Sequence, residues 1–180
     1  MIGLMIDIET ASTAPNARVL QIGWAYADLL TGETWAPPRN IWVTAHMHGA
    51  TDPETVQWWA QQDAAIRNDV WNYSGKNPVH TPDEAFTVLK GVYDSLGDGA
   101  TVWGSPAMFD LPILTSMWAN KKPWPYFQER DLMTLYKMLD PDKQLKPANP
   151  AEHDAASDAH AQLQHLLAIF KHNPVLQGAK

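Results

Sequence analysis

Near the start of the chain, an apolar run from Gly3 to Ile8 carries two acids at its end, Asp7 and Glu9. The run is rich in Ile, Leu and Met and reads as a buried strand. Residues two apart on a strand point to the same face, so Asp7 and Glu9 converge while Ile8 points into the core. Two carboxylates held this close are costly unless a cation neutralises them. Taken alone, the pair also fits a strand that runs out into solvent with both acids hydrated.

The rest of the chain reads as a frame around that strand. Val19 to Leu29 is a second strand, Thr31-Gly32-Glu33 a tight turn, and Thr34 to Thr44 a third strand, which makes a meander at the front of the chain. Asp52, Pro53 and Glu54 have the chemistry of a helix start, and this helix runs to about Ala60. The stretch from Arg67 to Val79 is polar and turn-rich. Thr81 and Pro82 open a longer helix with Phe86, Leu89, Val92, Tyr93 and Leu96 at helical spacing, closed by Gly97. Thr101 to Trp103 is a short central strand that breaks at Gly104-Ser105-Pro106. Helices follow over about Asp110 to Asn120, Leu132 to Leu139, and Asp154 to His172, with a proline-rich loop from Pro141 to Pro150 before the last. Three strands, then helix, strand and helix, specify an α/β fold with a mixed sheet flanked by helices. With no internal repeat or linker, residues 1–180 read as a single domain.

Composition removes several classes. There is no cysteine, so disulfides and thiolate zinc sites are excluded. Nowhere do about 18 apolar residues run together, and the N-terminus lacks the pattern of a signal peptide. A soluble protein is expected, with no membrane partner, in a bacterial cytoplasm or in a host cytoplasm if phage-encoded. The formal charge of −7 argues against a module that coats DNA broadly. Two divalent cations on a carboxylate cluster would bring −7 to −3 and place positive charge where phosphate sits. Nine Trp are enough to fill a core and leave some for stacking on bases or for packing against another chain, so a homodimer is allowed.

Two further places carry acids of interest. Asp110 follows the Thr101–Trp103 strand at a helix start, where an acid is as readily a simple N-cap. Phe109 is expected to bury beside it. In Glu152-His153-Asp154-Ala155-Ala156-Ser157-Asp158, Asp154 reads as the helix cap. A spacing of five is about 500° of helix rotation, so His153 and Asp158 meet only if His153 lies on the preceding loop. His46-Met47-His48 has the look of a metal clip, but no third His is near in sequence, and a strand end is the simpler reading.

Asp-x-Glu on the first strand, Asp after the central strand and His-x-x-x-x-Asp at the last helix, in this order, resemble the DEDD exonucleases of the His-containing, DnaQ-like branch. Thr55-Val56-Gln57-Trp58-Trp59-Ala60-Gln61-Gln62 with Arg67, Trp103-Gly104, Phe109-Asp110 and Arg130-Asp131-x-x-Thr134 are similar to one subgroup. It includes phage and bacterial exodeoxyribonuclease VIII-like proteins, the phage exonuclease A group and a mycobacterial exoribonuclease. The resemblance implies a ribonuclease-H-like fold and a 3′-5′ exonuclease that releases nucleoside monophosphates from a nucleic acid 3′ end. DNA, single-stranded or as a 3′ overhang, is expected ahead of RNA. An exoribonuclease with the same site and an inactive nucleic-acid-binding relative are the alternatives.

The resemblance also implies two divalent cations, Mg²⁺ or Mn²⁺, with Asp7, Glu9, Asp110 and Asp158 as metal ligands. Asp7 would bridge the ions, Glu9 and Asp158 would complete one site, and Asp110 would serve the other through water. His153 would take the proton from the attacking water. Thr10, Trp58, Trp59 and Phe109 are the expected substrate contacts, with one of the adjacent tryptophans in the core and one available to stack on the terminal base. Many relatives have Asn where Ser105 and Pro106 stand here. Lys143 and Lys146 are expected to be solvated, with phosphate contact as the alternative, and Arg130, Asp131 and Thr134 are expected to be structural.

Overall fold

The computed structural model describes residues 1–44, 49–149 and 151–178, so the His46-Met47-His48 segment lies outside the described residues. The alternating apolar run becomes β1 (Ile2–Thr10), and the meander continues with β2 (Val19–Asp28) and β3 (Arg39–Val43). Helices α1 (Pro53–Ala60) and α2 (Ala64–Val70), strand β4 (Val79–His80) and helix α3 (Pro82–Leu96) lead to β5 (Thr101–Gly104). Helix α4 (Ala107–Met117), β6 (Glu129–Asp131), α5 (Leu132–Leu139), α6 (Ala155–His172) and α7 (Pro174–Gln177) complete the described chain. The six strands form one mixed sheet in the order β4-β3-β2-β1-β5-β6. No described helix is long and apolar enough to cross a membrane.

β1 lies inside the sheet, antiparallel to β2 and parallel to β5. Its alternation feeds two cores. Leu4, Ile6 and Ile8 pack with Ile22, Leu89, Val102 and Leu114 on one face, while Met5 packs with Trp103, Leu163, Leu166 and Ile169 on the other. Asp7 and Glu9 continue the Met5 face, the one that α6 covers, by the strand's period of two.

The structure departs from the sequence reading at several places, each with a local cause. β3 starts at Arg39 instead of Thr34, because Pro37 and Pro38 have no N–H to donate to a ladder. Trp35 is left half-exposed against Tyr26. The stretch read as turn-rich from Arg67 begins inside α2, whose first N–H groups are capped by the Asp63 carboxylate. β4 and β6 are two and three residues long, too short to show a period. α4 begins at Ala107, so Asp110 sits within its first turn and is not the cap.

The contact that positions the last helix is between β2 and the start of α6. A Cβ placed on Gly23 would lie 2.0 Å from the Ala155 carbonyl carbon and 2.2 Å from the Ala156 nitrogen. Backbone meets backbone there because glycine has no side chain. Two residues earlier, the fully buried Gln21 accepts a hydrogen bond from the Ala155 N–H at 2.9 Å through its Oε1. Gln21 thus satisfies one of the orphan donors of the helix N-terminus. Gly23→Ala is expected to destabilise the protein by about 3 kcal/mol or more, since both clashing partners are backbone. Chemical denaturation measures it, and a loss below ~1 kcal/mol would show that α6 can move away freely.

Candidate active site

Three elements bring an acid or an acid pair to the same place, and a loop adds a histidine. β1 supplies Asp7 and Glu9, the first turn of α4 supplies Asp110, and the first turn of α6 supplies Asp158. The loop before α6 supplies His153. The charges of Asp110, Glu9 and Asp158 all reach Asp7, so the four acids expected from the sequence do converge. One ligand atom each from Glu9, His153 and Asp158 lie within 4.8 Å of one another.

Each acid has its own support. The Gln162 side-chain amide donates to Asp7 Oδ1 at 2.7 Å. Asp110, only 3% exposed, accepts from the Ser105 N–H at 3.3 Å. Gly104 allows that approach, because a Cβ there would stand 3.0 Å from Asp110 Oδ2. Asp158 accepts from Asn149 Nδ2 and from the His153 N–H, both at 2.7 Å. His153 has a left-handed backbone, φ +66°, which turns its N–H to Asp158. The Ser105-Pro106 position therefore contributes a backbone donor to Asp110.

Electrostatics follow from this crowding. Burial, and then the charges of Asp110, Glu9 and Asp158, push the Asp7 carboxyl well above the usual range, against the Gln162 hydrogen bond. Glu9 is pushed well up by burial and by Asp158, Asp154 and Asp110. Asp110 rises to about 7, chiefly through burial, with backbone N–H groups of Ser105, Asp110 and Ile8 opposing. Asp158 is also raised by burial, against hydrogen bonds from His153 and Asn149. Among the described residues no Lys or Arg forms an ion pair with any of the four. A set of hard oxygen donors without a protein counter-charge fits divalent cations such as Mg²⁺ or Mn²⁺.

Beside Glu9 opens a cleft of about 460 Å³, lined by Thr10, Asp52, Glu54, Trp58 and Phe109 among others. Trp59 is the core tryptophan, 2% exposed, with its indole N–H donated to the Thr10 carbonyl at 2.9 Å. Trp58 is 41% exposed and sets its ring edge-on to the His153 imidazole, 4.8 Å between centroids. The Thr10 hydroxyl is donated to the Ser12 carbonyl, so Thr10 borders the cleft with its hydroxyl already engaged. Phe109 is half-buried: it packs on the core and also lines the cleft.

Sequence reasoning missed the residues that hold the acids. Gln162 was legible in principle, since it lies four residues beyond Asp158 and so on the same helix face. Asn149 gave no signal in its loop. Asp154 caps α6 as expected and also accepts from Asn40 of β3 at 2.6 Å. Asp131 caps α5 through Thr134 and accepts the Ala107 N–H, and Arg130 donates to the Phe127 and Glu129 carbonyls.

Residues 3–170 match the family model of the 3′-5′ exoribonuclease Rv2179c-like domain. The chain belongs to this family. No curated protein sequence matches it. Among solved structures, it is similar to E. coli exonuclease I in complex with a dT13 oligonucleotide, at 15% identity and a TM-score of 0.69. That likeness covers 97% of this chain and 42% of exonuclease I, so the chain spans less than half of that relative. The exonuclease I complex with SSB-Ct is similar at 16% identity and 0.68, over 98% of this chain and 42% of the other. Exonuclease X in complex with 5′ overhanging duplex DNA is similar at 16% and 0.57, over 96% and 93% of the two chains. The ribonuclease-H-like fold expected from the sequence is the fold these structures share.

The raised carboxyls set how the metal-free protein responds to pH. A carboxyl whose pKa is higher folded than unfolded binds its proton more tightly in the folded state, so stability falls as pH rises between the two values. For Asp110 that window runs from an unfolded value of about 4 to a folded value of about 7. In chelator, the melting temperature is expected to rise by about 5 °C between pH 8 and pH 6, and Mn²⁺ should remove most of that trend. A flat or inverted profile in chelator would mean that the acids do not share a buried site.

Proposed function

We propose that this chain is a 3′-5′ exonuclease that hydrolyses the terminal phosphodiester of a nucleic acid strand and releases nucleoside monophosphates. The observation that carries the reading is the convergence of Asp7, Glu9, Asp110 and Asp158, without a Lys or Arg partner among the described residues, beside a cleft with an exposed Trp58. The four carboxylates would hold two divalent cations, Mg²⁺ or Mn²⁺. When bound, these supply positive charge that draws in phosphate, favours ionisation of the attacking water and stabilises the leaving 3′-oxygen.

The chain's own residues do the rest. Trp58 offers a face for the terminal base, a contact worth about 1–3 kcal/mol whatever the base. Phe109 and Thr10 border the same cleft. His153, held between Asp158 and the Trp58 ring, accepts the proton of the attacking water as its oxygen bonds to phosphorus and the bond to the 3′-oxygen breaks. Asn149 and Gln162 keep Asp158 and Asp7 from turning away.

Single-stranded DNA, or a 3′ overhang, is the substrate that the sequence resemblance favours. Exonucleases I and X, seen with an oligonucleotide and with duplex DNA, support a nucleic acid end as the partner. The family's description as a 3′-5′ exoribonuclease favours RNA as the second reading. End-labelled DNA and RNA of one sequence, with Mg²⁺, Mn²⁺ or chelator, test both. Stepwise shortening from the 3′ end is expected with metal and none with chelator, and Asp7→Asn should lower the rate at least about 10³-fold. Cleavage inside the strand, or activity in chelator, would overturn the reading.

His153→Ala is expected to lower turnover about 10²–10⁴-fold while leaving Mn²⁺ affinity within a few-fold of wild type by calorimetry. Loss of Mn²⁺ binding would make His153 a ligand instead of a base.

A further inference from the structure

The cleft beside Trp58 cannot hold the whole substrate, because its charged lining is Glu9, Asp52 and Glu54, with no Lys or Arg. It suits a base and a sugar. A strand that puts its last nucleotide there must carry its remaining phosphates away from these acids.

A second cavity, of about 180 Å³, is lined by Lys143, Lys146, Asn149, Glu152, Asp158 and Gln162 among others. It shares no lining residue with the first. One opens on Glu9 and the other on Asp158, so the two border the acid cluster at different members. Here two lysines border the same space as Asp158 and Glu152, whereas the first cleft has acids alone. Among the described residues neither lysine forms an ion pair.

The loop that bears the two lysines is anchored at both ends. At its start Asp140, buried, accepts from His165 Nε2 at 2.7 Å and from the backbone N–H groups of Gln144 and Leu145 at 2.9 and 3.0 Å. His165 stacks on Tyr136, and the Lys143 ammonium lies 4.9 Å from the centre of the Tyr136 ring. At its end Asn149 bonds to Asp158 and Ser157. Helix α6 therefore ties down both the catalytic acid and the basic loop. Lysines on an anchored loop lose less freedom when they meet an anion than lysines on a loose one do.

We propose that this cavity is a phosphate site for the strand on the 5′ side of the scissile bond, with Lys143 and Lys146 contacting successive backbone phosphates. The assignment rests on the exonuclease reading for its placement along the strand. Its chemistry, two ammonium groups on an anchored loop facing a phosphodiester chain, applies to DNA and RNA alike.

The test uses the full chain with Ca²⁺ and two single-stranded ligands, an octathymidylate and a dithymidylate without a 5′ phosphate. The dinucleotide has only the scissile phosphate, so it cannot reach the second cavity. Equilibrium binding by competition anisotropy is compared for wild type and Lys143→Ala/Lys146→Ala. Both lysines are exposed, and melting temperature checks that the variant is folded. The wild-type preference for the octamer over the dimer is expected to fall about ten-fold in the variant. The slope of log affinity against log salt for the octamer should become shallower by about 1.4, since each phosphate contact on a single strand contributes ~0.7.

An unchanged preference and slope would overturn the site. Equal weakening of both ligands would also overturn it, because it would show that the loop acts only by holding Asp158 through Asn149. A wild type that binds the octamer with this salt dependence but hydrolyses nothing would support the phosphate site and defeat the exonuclease reading. A wild type that hydrolyses both ligands with no preference in binding would do the reverse.

Discussion

The site depends on how closely α6 can lie on the sheet, and one missing side chain sets that distance. At Gly23 the β2 backbone touches the backbone of Ala155 and Ala156, and Gln21 holds the helix end in register from below. Asp158, Gln162 and His165 all ride on this helix. Set back by the thickness of a methyl group, α6 would hold Asp158 away from Glu9 and Gln162 away from Asp7. The close seating is supported further along the helix by Leu163, Leu166, Ile169 and Phe170, which share a core with Met5 and Trp103. Apolar burial thus supplies the force, and glycine supplies the geometry.

That force works against the acids it assembles. Asp7, Glu9, Asp110 and Asp158 are each pushed toward the neutral form by burial, and the cluster as a whole lacks a cationic side chain among the described residues. Gln21, Asp140 and His165, by contrast, are buried with hydrogen bonds made. Several buried acids gathered without a counter-charge are a signature of function.

How much of this was legible depended on the range of the cause. Period and caps are local, so β1, β2, α3, α5 and α6 could be read from the chain, as could the side-by-side placement of Asp7 and Glu9. The cap at Asp63 was equally local, and α2 was hidden only by the polar residues around it. β4 and β6 exist because a neighbouring strand offers them partners, which no window of two or three residues displays. The same holds within the site. The acids announce themselves by motif, whereas Gln21, Asn40 and Asn149 matter through partners that are distant in sequence or without local pattern. The assignment of Trp59 to the core and Trp58 to the cleft likewise turned on the Thr10 carbonyl, a tertiary partner.

The register between β1 and α6 joins the first strand of the chain to its last long helix. Asp7 and Glu9 come early, and His153 and Asp158 come after nearly every other element. A chain whose final long helix has come loose keeps the sheet and three of the four acids but has no assembled centre. Under the activity proposed, hydrolysis therefore waits on the docking of α6, and the seating of one helix couples the folding of the whole domain to its chemistry.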